Sequence, residues 1–260
     1  MAPLAAALIV GGLAVAAVGF WDDARSVPIL ARMSVHLGAA ALAVYWLRGT
    51  SMAGTAGTML TLFAIAWFLN LFNFMDGIDG IAASEGAFIL SGAAVIGIFA
   101  AQCSVEHMAP ELLAAAACLG FLRWNWPRAS IFMGDVGSGY LGYAIAVMAI
   151  ASARSGDINI YAWIILAGVF VVDATVTLIV RLLRGERIYQ AHRTHAYQRL
   201  ARRWDSHLHV TVSVIIVDIV WLLPCAALAA KFPSAAPALC IMALAPLALC
   251  AVLIGSGRPE

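Results

Sequence analysis

Apolar runs alternate along the whole chain with short clusters of polar residues. Each run is close to the roughly 20 residues that a helix needs to cross the hydrocarbon core of a bilayer. The pattern predicts an all-α polytopic transmembrane bundle of about nine spans, in one integral-membrane domain over residues 1–260. The predicted spans are 2–20, 30–47, 55–75, 84–102, 109–122, 138–153, 158–181, 208–228 and 235–254.

The composition agrees with a membrane protein. The chain is 63% hydrophobic and 11% charged, whereas a soluble domain carries about a quarter charged residues. The net charge of +1 says little about partners; we expect membrane lipids and no nucleic acid. The apolar start lacks a basic n-region, so we interpret it as a span and not as a cleaved signal peptide. The five cysteines show no CxxC spacing and are expected to be buried, inert thiols.

Basic residues are distributed unevenly over the predicted connections. One side of the membrane receives twelve of them, counting Arg32 just inside the second span, and the other side receives Arg48, Arg154 and Lys231. The positive-inside rule makes the richer side cytoplasmic, with the N-terminus outside. The polar clusters "WDD", "NFMDGIDG", the stretch after "NWP" and the histidine-containing loop all fall on that same side. This concentration predicts a composite site at the cytoplasmic face.

Two clusters place carboxylates where a span meets water. Asp22 and Asp23 end the first span in "GFWDDAR", where adjacent carboxylates indicate a metal, a proton to transfer or a solvated helix end. Asp135 lies in "GDVGSG" just before an apolar span. A Gly/Ser turn that leads into a helix offers backbone N–H groups to phosphate, and one carboxylate with phosphate oxygens is a typical Mg²⁺ arrangement. A plain turn is the alternative.

"NFMDGIDG" ends a span with amides and carboxylates. Asp76 and Asp79 are three residues apart, so on a helical turn they would share a face. Asn70 and Asn73 precede them at hydrocarbon depth, where polar side chains need partners. A polar interfacial turn is the alternative to a binding site.

The remaining polar residues lie near or within the later spans. His192 and His195 are weak zinc candidates, and with Arg193 and the neighbouring arginines the loop suits anionic lipid head groups or a diphosphate; a topology-setting basic loop is the alternative. Asp173 and Asp218 lie within spans, where a carboxylate is by default functional or paired. They are the coupling carboxylates of a rival hypothesis, an ion-coupled transporter. That rival predicts polar residues near the bilayer midplane, whereas most here lie at one surface.

The motifs resemble those of the polyprenyl-phosphate N-acetylhexosamine-1-phosphate transferases of glycosyltransferase family 4. The resemblance covers roughly residues 22 to 200 and runs, in the family's order, through "DD", "NFMDGIDG", "NWPRASIFMGDVGS", "VVDATVTLIVRLLRG" and "HRTHAYQ". The form of the last motif is similar to the branch that initiates O-antigen chains of lipopolysaccharide. A CDP-alcohol phosphotransferase is a closer rival than the transporter, but after Asp79-Gly80 the chain departs from that signature.

The resemblance implies a reaction and a location. It implies Mg²⁺-dependent transfer of a sugar-1-phosphate from a UDP-N-acetylhexosamine to undecaprenyl phosphate, with release of UMP, at the bacterial cytoplasmic (inner) membrane. A homodimer is left open. Family members begin with two further spans, which we expect this chain to lack, and the alternative is therefore a truncated or inactive homologue.

The resemblance also implies roles for individual residues. Asp135, with Asp76, would bind the metal. Asp22 and Asp23 would act on the lipid phosphate. The implied substrate contacts are Asn70, Asn73, Asp76, Asp79 (towards the uracil), Phe132 (stacking on the uracil), His192, Arg193 and His195.

Overall fold

The computed structural model describes residues 2–47, 54–187 and 192–259, and all regular structure within these ranges is helical. The all-α prediction is therefore confirmed. The helices are α1 (Ala2–Ala24), α2 (Ile29–Trp46), α3 (Gly54–Met75), α4 (Ile81–Phe99), α5 (Ala109–Asn125), α6 (Gly134–Ser155), α7 (Ile160–Leu166), α8 (Gly168–Leu183), α9 (Ala196–Trp204), α10 (His207–Lys231) and α11 (Ala236–Ile254). Short π-helical turns interrupt α1 at Ala7–Gly11 and α10 at Asp218–Leu222.

Seven of these helices are long and apolar enough to cross a membrane: α1, α2, α3, α4, α6, α10 and α11. Helices α7 and α8 together make an eighth candidate, which is bent by 79°. Helix α5 has 17 residues, so it is shorter than the seven candidate spans, and it carries Glu111 in its first turn and Arg123 in its last. Eight of the predicted spans each correspond to one helix, but the predicted span 158–181 is divided into α7 and α8 by the break at Ala167, and the predicted count of nine is not confirmed.

The first of two compact units comprises residues 1–76 and 133–156, with helices α1, α2, α3 and α6. Helices α1 and α3 both pack on α6. Glycines make these crossings close: a Cβ on Gly142 would lie 2.8 Å from the Phe68 carbonyl oxygen, and one on Gly19 would lie 2.6 Å from that of Asp135. The second contact brings the C-terminal turn of α1 against the N-terminus of α6.

A buried tyrosine ties three helices of this unit together. The Tyr143 hydroxyl on α6 lies 3.0 Å from the Ala7 carbonyl oxygen on α1 and 3.3 Å from that of Ala39 on α2. Around it lie Val15, Ile65 and Leu69, all fully buried. Because an apolar core with one satisfied hydroxyl holds the four helices, the polar residues at their ends are fixed relative to one another.

The second compact unit comprises residues 77–132 and 157–260, with helices α4, α5 and α7–α11. Helix α4 packs on α5, α8 on α11, and α7 on α10. The short helix α9 is held from the far end of the chain, where the Gly257 N–H donates to the Thr194 carbonyl at 2.9 Å and the Arg199 Nε donates to the Ile254 carbonyl at 3.2 Å. The prediction of a single domain stays a prediction.

The cysteines depart in part from their prediction. Cys118, Cys225 and Cys240 are buried, but Cys103 is half-buried and Cys250 is exposed. The expectation of buried thiols is therefore wrong for these two residues. Cys250 lies on the exposed face of the apolar candidate span α11, where an apolar side chain needs no protein neighbours if the span is surrounded by lipid.

Candidate functional site

Four carboxylates of the first unit belong to one group, which we call the carboxylate cluster: Asp22, Asp23, Asp76 and Asp135. Asp22 and Asp23 lie in the last turn of α1, Asp76 directly follows α3, and Asp135 is the second residue of α6. Three helix ends thus bring together residues that are up to 113 positions apart. The sequence predicted all four as site residues.

Asp23 caps the N-terminus of α6. Its carboxylate accepts hydrogen bonds from the backbone N–H of Asp135 at 3.1 Å and of Val136 at 3.4 Å. The unpaired N–H groups and the positive dipole end of a helix stabilise such a carboxylate. Gly134 has a φ of 64°, and a Cβ there would lie 2.7 Å from Asp23 Oδ2. Asp23 therefore fixes the turn that presents Asp135.

Arg32 on α2 contacts two members of the carboxylate cluster, Asp22 and Asp135. Its Nη1 donates to Asp22 Oδ2 and lies 3.3 Å from Asp135 Oδ2. The other Asp22 oxygen accepts from the Val27 N–H at 2.7 Å. The side chain of Asn73 on α3 hydrogen-bonds to the Asp135 carboxylate. Asp135 is therefore oriented by residues from the other three helices of the unit.

The negative charges of the neighbouring carboxylates affect the pKa of Asp76. Burial and, to a lesser extent, the nearby carboxylates of Asp135 and Asp23 together raise the pKa of Asp76 to about 7. Excess negative charge of this kind stabilises a bound cation. Across residues 2–47, 54–187 and 192–259, no three His, Cys, Asp or Glu side chains converge into a metal-binding group. The donor set fits Mg²⁺, which takes one or two carboxylates and completes its shell with water and substrate phosphates.

Asn70 has local partners in the structure. Its Nδ2 donates to the Ala66 carbonyl at 2.7 Å and lies 3.5 Å from His36 Nδ1. This pairing satisfies a polar side chain at membrane depth. The implied substrate contact of Asn70 stays a prediction.

The turn after Asp76 differs from its expected conformation. Helix α3 ends at Met75, so Asp76 and Asp79 do not lie on one helical turn, and the expectation of a shared helical face is wrong. The physical reason is that glycine is unfavourable within a helix: Gly77 lies between the two carboxylates, and Gly80, directly after Asp79, has a φ of 77° that favours glycine.

Asp79, in the second unit, contacts both the connection after α5 and the first turns of α10. Its Oδ2 accepts from the Ala129 N–H at 3.1 Å, its Oδ1 lies 3.3 Å from His207 Nδ1, and its carbonyl accepts from the Thr211 hydroxyl at 3.0 Å. Beside it, buried Asn125 accepts from the Gly80 N–H at 3.1 Å and donates to the Ile131 carbonyl at 2.9 Å. These bonds connect the Asp79 turn to residues 125–131.

Phe132 closes that loop and is 74% exposed. Its ring is free to stack on a planar ligand, as the resemblance implies. The stacking itself stays a prediction.

Asp173 and His195 organise the histidine motif. The Asp173 carboxylate on α8 accepts from the backbone N–H of Ala196 at 2.8 Å and of Tyr197 at 2.9 Å, which caps the N-terminus of α9. Thr177 donates to the same carboxylate at 3.1 Å. His195 is buried, with its Nδ1 3.5 Å from Asp173 Oδ1. The structure therefore places His195 inside the fold.

His192 and Arg193 lie further out. The His192 ring stacks on His195 at a centroid distance of 4.9 Å, and its Nδ1 lies 3.2 Å from the Thr194 hydroxyl. Burial, followed by the charges of His195 and Arg181, lowers the pKa of His192 to about 4. His192 is therefore neutral at pH 7, whereas exposed Arg193 beside it is a cation.

A cavity of about 1200 Å³ lies in the second unit. It brings together Asp79, His192 and Arg193, three of the predicted site residues. Its other polar lining includes Arg128, Gln198, Arg202, Asp205, Ser206 and His207. Three arginines make this cavity suited to a phosphorylated ligand.

Three residues of these sites were not predicted as site residues. Arg32 carries a signal that would have found it, because a charged residue within an apolar span is functional or paired by default. Asn125 lies in the "NWP" motif, but its role as a buried connector depends on contacts that the sequence does not show. His207 lies 128 positions from its partner Asp79, and nothing local in the sequence indicates this pairing.

Comparison with known proteins identifies relatives. A model of "Glycosyl transferase family 4" matches residues 5–153, which is more than half of the chain. The "Probable undecaprenyl-phosphate N-acetylglucosaminyl 1-phosphate transferase" of Bacillus subtilis (strain 168) is 28% identical over 82% of this chain and 62% of its own length. The "Decaprenyl-phosphate N-acetylglucosaminephosphotransferase" of Mycobacterium leprae (strain TN) is 27% identical over 81% of this chain and 61% of its own.

A third relative is named for a different activity. The "Phospho-N-acetylmuramoyl-pentapeptide-transferase" of Synechococcus sp. (strain JA-2-3B'a(2-13)) is 36% identical over 62% of this chain and 44% of its own length. The chain thus spans about three fifths of the length of the first two relatives.

The family match includes the motifs that form the carboxylate cluster. Together, the seven candidate spans and these bacterial relatives identify a multi-pass protein of the bacterial cytoplasmic membrane. The chain belongs to glycosyl transferase family 4.

Proposed function

We propose that this chain transfers a sugar-1-phosphate of the N-acetylhexosamine type from a UDP-sugar to undecaprenyl phosphate, with release of UMP. The observation that carries the proposal is the convergence of Asp22, Asn73 and Asp135 with Arg32 at the ends of four helices. Asp22, Asn73 and Asp135 come from separate motifs, and Arg32 adds a cation beside them. Carboxylates that can hold a metal and a cation that can bind phosphate are the groups that phosphoryl transfer needs.

The reaction joins two anions. An oxygen of the lipid phosphate attacks the phosphorus that bears the sugar and forms a new P–O bond. The P–O bond to the UMP phosphate breaks, and its electron pair leaves with UMP. Phosphoryl transfer of this kind depends mainly on alignment and on neutralisation of negative charge.

Asp135 and Asp76 would hold Mg²⁺ together with the oxygens of the donor diphosphate. When bound, the metal supplies charge neutralisation on the diphosphate. The contribution of the chain itself is to orient these ligands: Asn73 hydrogen-bonds to Asp135, and Asp23 fixes the turn before it. Rigid placement matters because a poorly oriented ligand loses alignment with the reacting phosphorus.

Asp22 and Asp23 have different roles in this proposal. Asp23 caps α6, so its contribution is to position Asp135. Asp22 and Arg32 form an ion pair, and Arg32 is the cation in the cluster that attracts the lipid phosphate. A phosphate that is largely ionised at neutral pH needs little help from a base, so positioning is the function that we assign to Asp22.

The cavity of the second unit would bind the nucleotide sugar. Arg193 would contact phosphate, and neutral His192 would donate or accept a hydrogen bond. Asp79 would accept from the uracil, with Phe132 stacking on its ring. His195 would act through His192, against which it is packed.

The relatives indicate the class of the donor sugar and of the product glycan. The relatives' names include N-acetylglucosaminyl, decaprenyl and muramoyl-pentapeptide enzymes. We propose an N-acetylhexosamine donor and initiation of a lipid-linked surface glycan, with O-antigen as the candidate suggested by "HRTHAYQ".

The test is UMP release from the purified chain with undecaprenyl phosphate, Mg²⁺ and a panel of UDP-N-acetylhexosamines. Asp135→Asn keeps the size of the side chain and removes its charge, so we expect a loss of roughly 10²–10³-fold. Asp157→Asn, which alters a carboxylate bound to His107 in the second unit, is the matched control and should retain activity. Failure of every sugar to release UMP would contradict the proposal.

A further inference from the structure

A second cavity, of about 640 Å³, lies in the first unit between helices α1 and α2. We call it the α1–α2 groove. Its α1 wall consists of Ala14, Ala17, Val18 and Trp21, and its α2 wall includes Val35. Arg25 and Ser26 line one end, in the connection between the two helices.

The α1 wall runs along one face of the helix. Ala14, Ala17, Val18 and Trp21 have the spacing i, i+3, i+4 and i+7, which is one helical stripe. At 1.5 Å per residue this stripe is about 10 Å long, roughly a third of the 30 Å hydrocarbon core of a bilayer, and Arg25 is the extended residue just past the helix end. The groove is therefore apolar and within a candidate span, with a polar end at the helix terminus.

The polar end of the groove is continuous with the carboxylate cluster. Arg25 lies two residues after Asp23. The Val27 N–H, whose residue also lines the groove, donates to Asp22 Oδ1 at 2.7 Å. Within the described residues no carboxylate forms an ion pair with the exposed Arg25 guanidinium. The Arg25 cation therefore lies at the polar end of the α1–α2 groove, near the carboxylate cluster.

We propose that the α1–α2 groove binds the polyprenyl phosphate acceptor, with the first isoprene units of its tail along Ala14–Val18 and its phosphate between Arg25 and Arg32. The proposal rests on the proposed function, because it assigns the tail and head group of the acceptor to places in the first unit. Small side chains leave room for a branched chain, and guanidinium groups bind phosphate. An ordinary phospholipid is the competing occupant that the experiment has to exclude.

The kinetic experiment fills the groove. Ala17→Phe introduces a large side chain on the groove wall, and Ala5→Phe makes the same change at an exposed position of α1 outside it. We expect Ala17→Phe to raise the KM for undecaprenyl phosphate by roughly tenfold or more, which corresponds to about 1.4 kcal/mol. The KM for the UDP-sugar should stay within about twofold. Ala5→Phe should change neither constant.

A second variant tests the head group. Arg25→Gln should raise the KM for undecaprenyl phosphate with kcat little changed, because it removes binding that is equal in ground and transition states. Equal KM values for native, Ala17→Phe and Arg25→Gln chains, in a preparation that releases UMP, would overturn the groove assignment and leave the transferase standing.

A binding experiment needs no activity. The purified chain is irradiated with a polyprenyl phosphate that carries a diazirine near its phosphate, and the labelled peptides are identified by mass spectrometry. Labelling of residues 14–35 that excess undecaprenyl phosphate abolishes and excess phosphatidylglycerol does not would support the proposal. Equal competition by both lipids, or labelling elsewhere, would overturn it. Because this readout is independent of UMP release, it separates failure of the groove from failure of the proposed function.

Discussion

Arg32 is the residue on which the carboxylate cluster most depends. It lies in the first turn of α2 and places one positive charge beside Asp22 and Asp135. Removing one partner of a partly buried ion pair costs more than the pair itself contributes, because the remaining charges lose their compensation. Asp22 and Asp135 would then repel each other.

We expect Arg32→Gln to lower the rate of UMP release by roughly 10²-fold, since an oriented charge at the site of phosphoryl transfer contributes on this scale. Arg32→Lys should retain more activity, because it keeps the charge and loses the forked geometry. Arg123→Gln serves as the control: Arg123 is exposed and lies over the Trp124 ring. Similar losses in the Arg32 and Arg123 variants would contradict a specific role.

His192 illustrates how packing decides the charge of a residue. Its pKa is lowered to about 4 by burial, with His195 and Arg181 adding to the decrease while Glu186 and Asp173 oppose it. The ring therefore stays neutral in the folded protein at pH values where a free histidine, with a pKa of 6.5, becomes a cation.

We predict that His192 remains neutral down to pH 5.5 in the folded protein. Nitrogen NMR shifts of ¹⁵N-histidine-labelled chain, with His192→Asn to assign the signal, would measure this. Because the folded-state pKa is lowered, acidification from pH 6.5 towards 4 favours the unfolded chain, so the contribution of His192 to stability falls over that range. A His192 signal that titrates near pH 6.5 would show that the ring is not packed as described.

At the scale of elements, α9 depends on a residue of another helix for its first turn. The sequence shows Asp173 as an isolated carboxylate in a span. The structure shows its two oxygens accepting from Ala196 and Tyr197, so the charge is satisfied by the N-terminus of α9. This arrangement removes the need for an ion-coupling role at Asp173.

We expect Asp173→Ala to destabilise the protein by about 1–3 kcal/mol, because two buried amide N–H groups lose their acceptor. For a chain of this size that corresponds to roughly 2–4 °C in Tm for each kcal/mol. Thermal unfolding in detergent measures the shift, and Glu106→Gln, at an exposed position, is the control. Trypsin should also cleave faster after Arg193 in Asp173→Ala. An unchanged Tm with unchanged cleavage would contradict the capping role.

At the scale of the whole molecule, the membrane side of the polar clusters remains a prediction. It depends on the excess of basic residues over one set of connections. Helix α4 and helix α5 separate the connection at 100–108 from those at 76–80 and 126–133. Exposed serines in two of these connections allow a direct test.

In a chain without native cysteines, we expect Ser130→Cys to react with a membrane-impermeant maleimide only in inside-out vesicles. Ser104→Cys should react only in intact cells, because it lies on the side with few basic residues. Gel shifts of the labelled chain report both. Labelling of the two positions from the same side would show that α5 does not cross the membrane and would move the clusters to different faces.

The sequence by itself determined the helical membrane class, the approximate place of the long apolar helices and the four carboxylates of the cluster, but it did not show α9 or the break between α7 and α8. Apolar length is a property of contiguous residues, and the bilayer demands helices because no water satisfies the backbone there. The motif residues could also be recognised from the sequence, because an Asp or Asn at the end of an apolar span has few structural reasons to be there.

Only the tertiary structure decided what those residues do to one another. Asp22 and Asp23 are adjacent in the chain, yet one pairs with Arg32 and the other caps α6, because successive residues of a helix point in different directions. The end of α3 at Met75 and the burial of His195 likewise depend on glycine conformation and on contacts with α8 and α9. Such pairings join residues far apart in sequence, and local pattern carries no information about them.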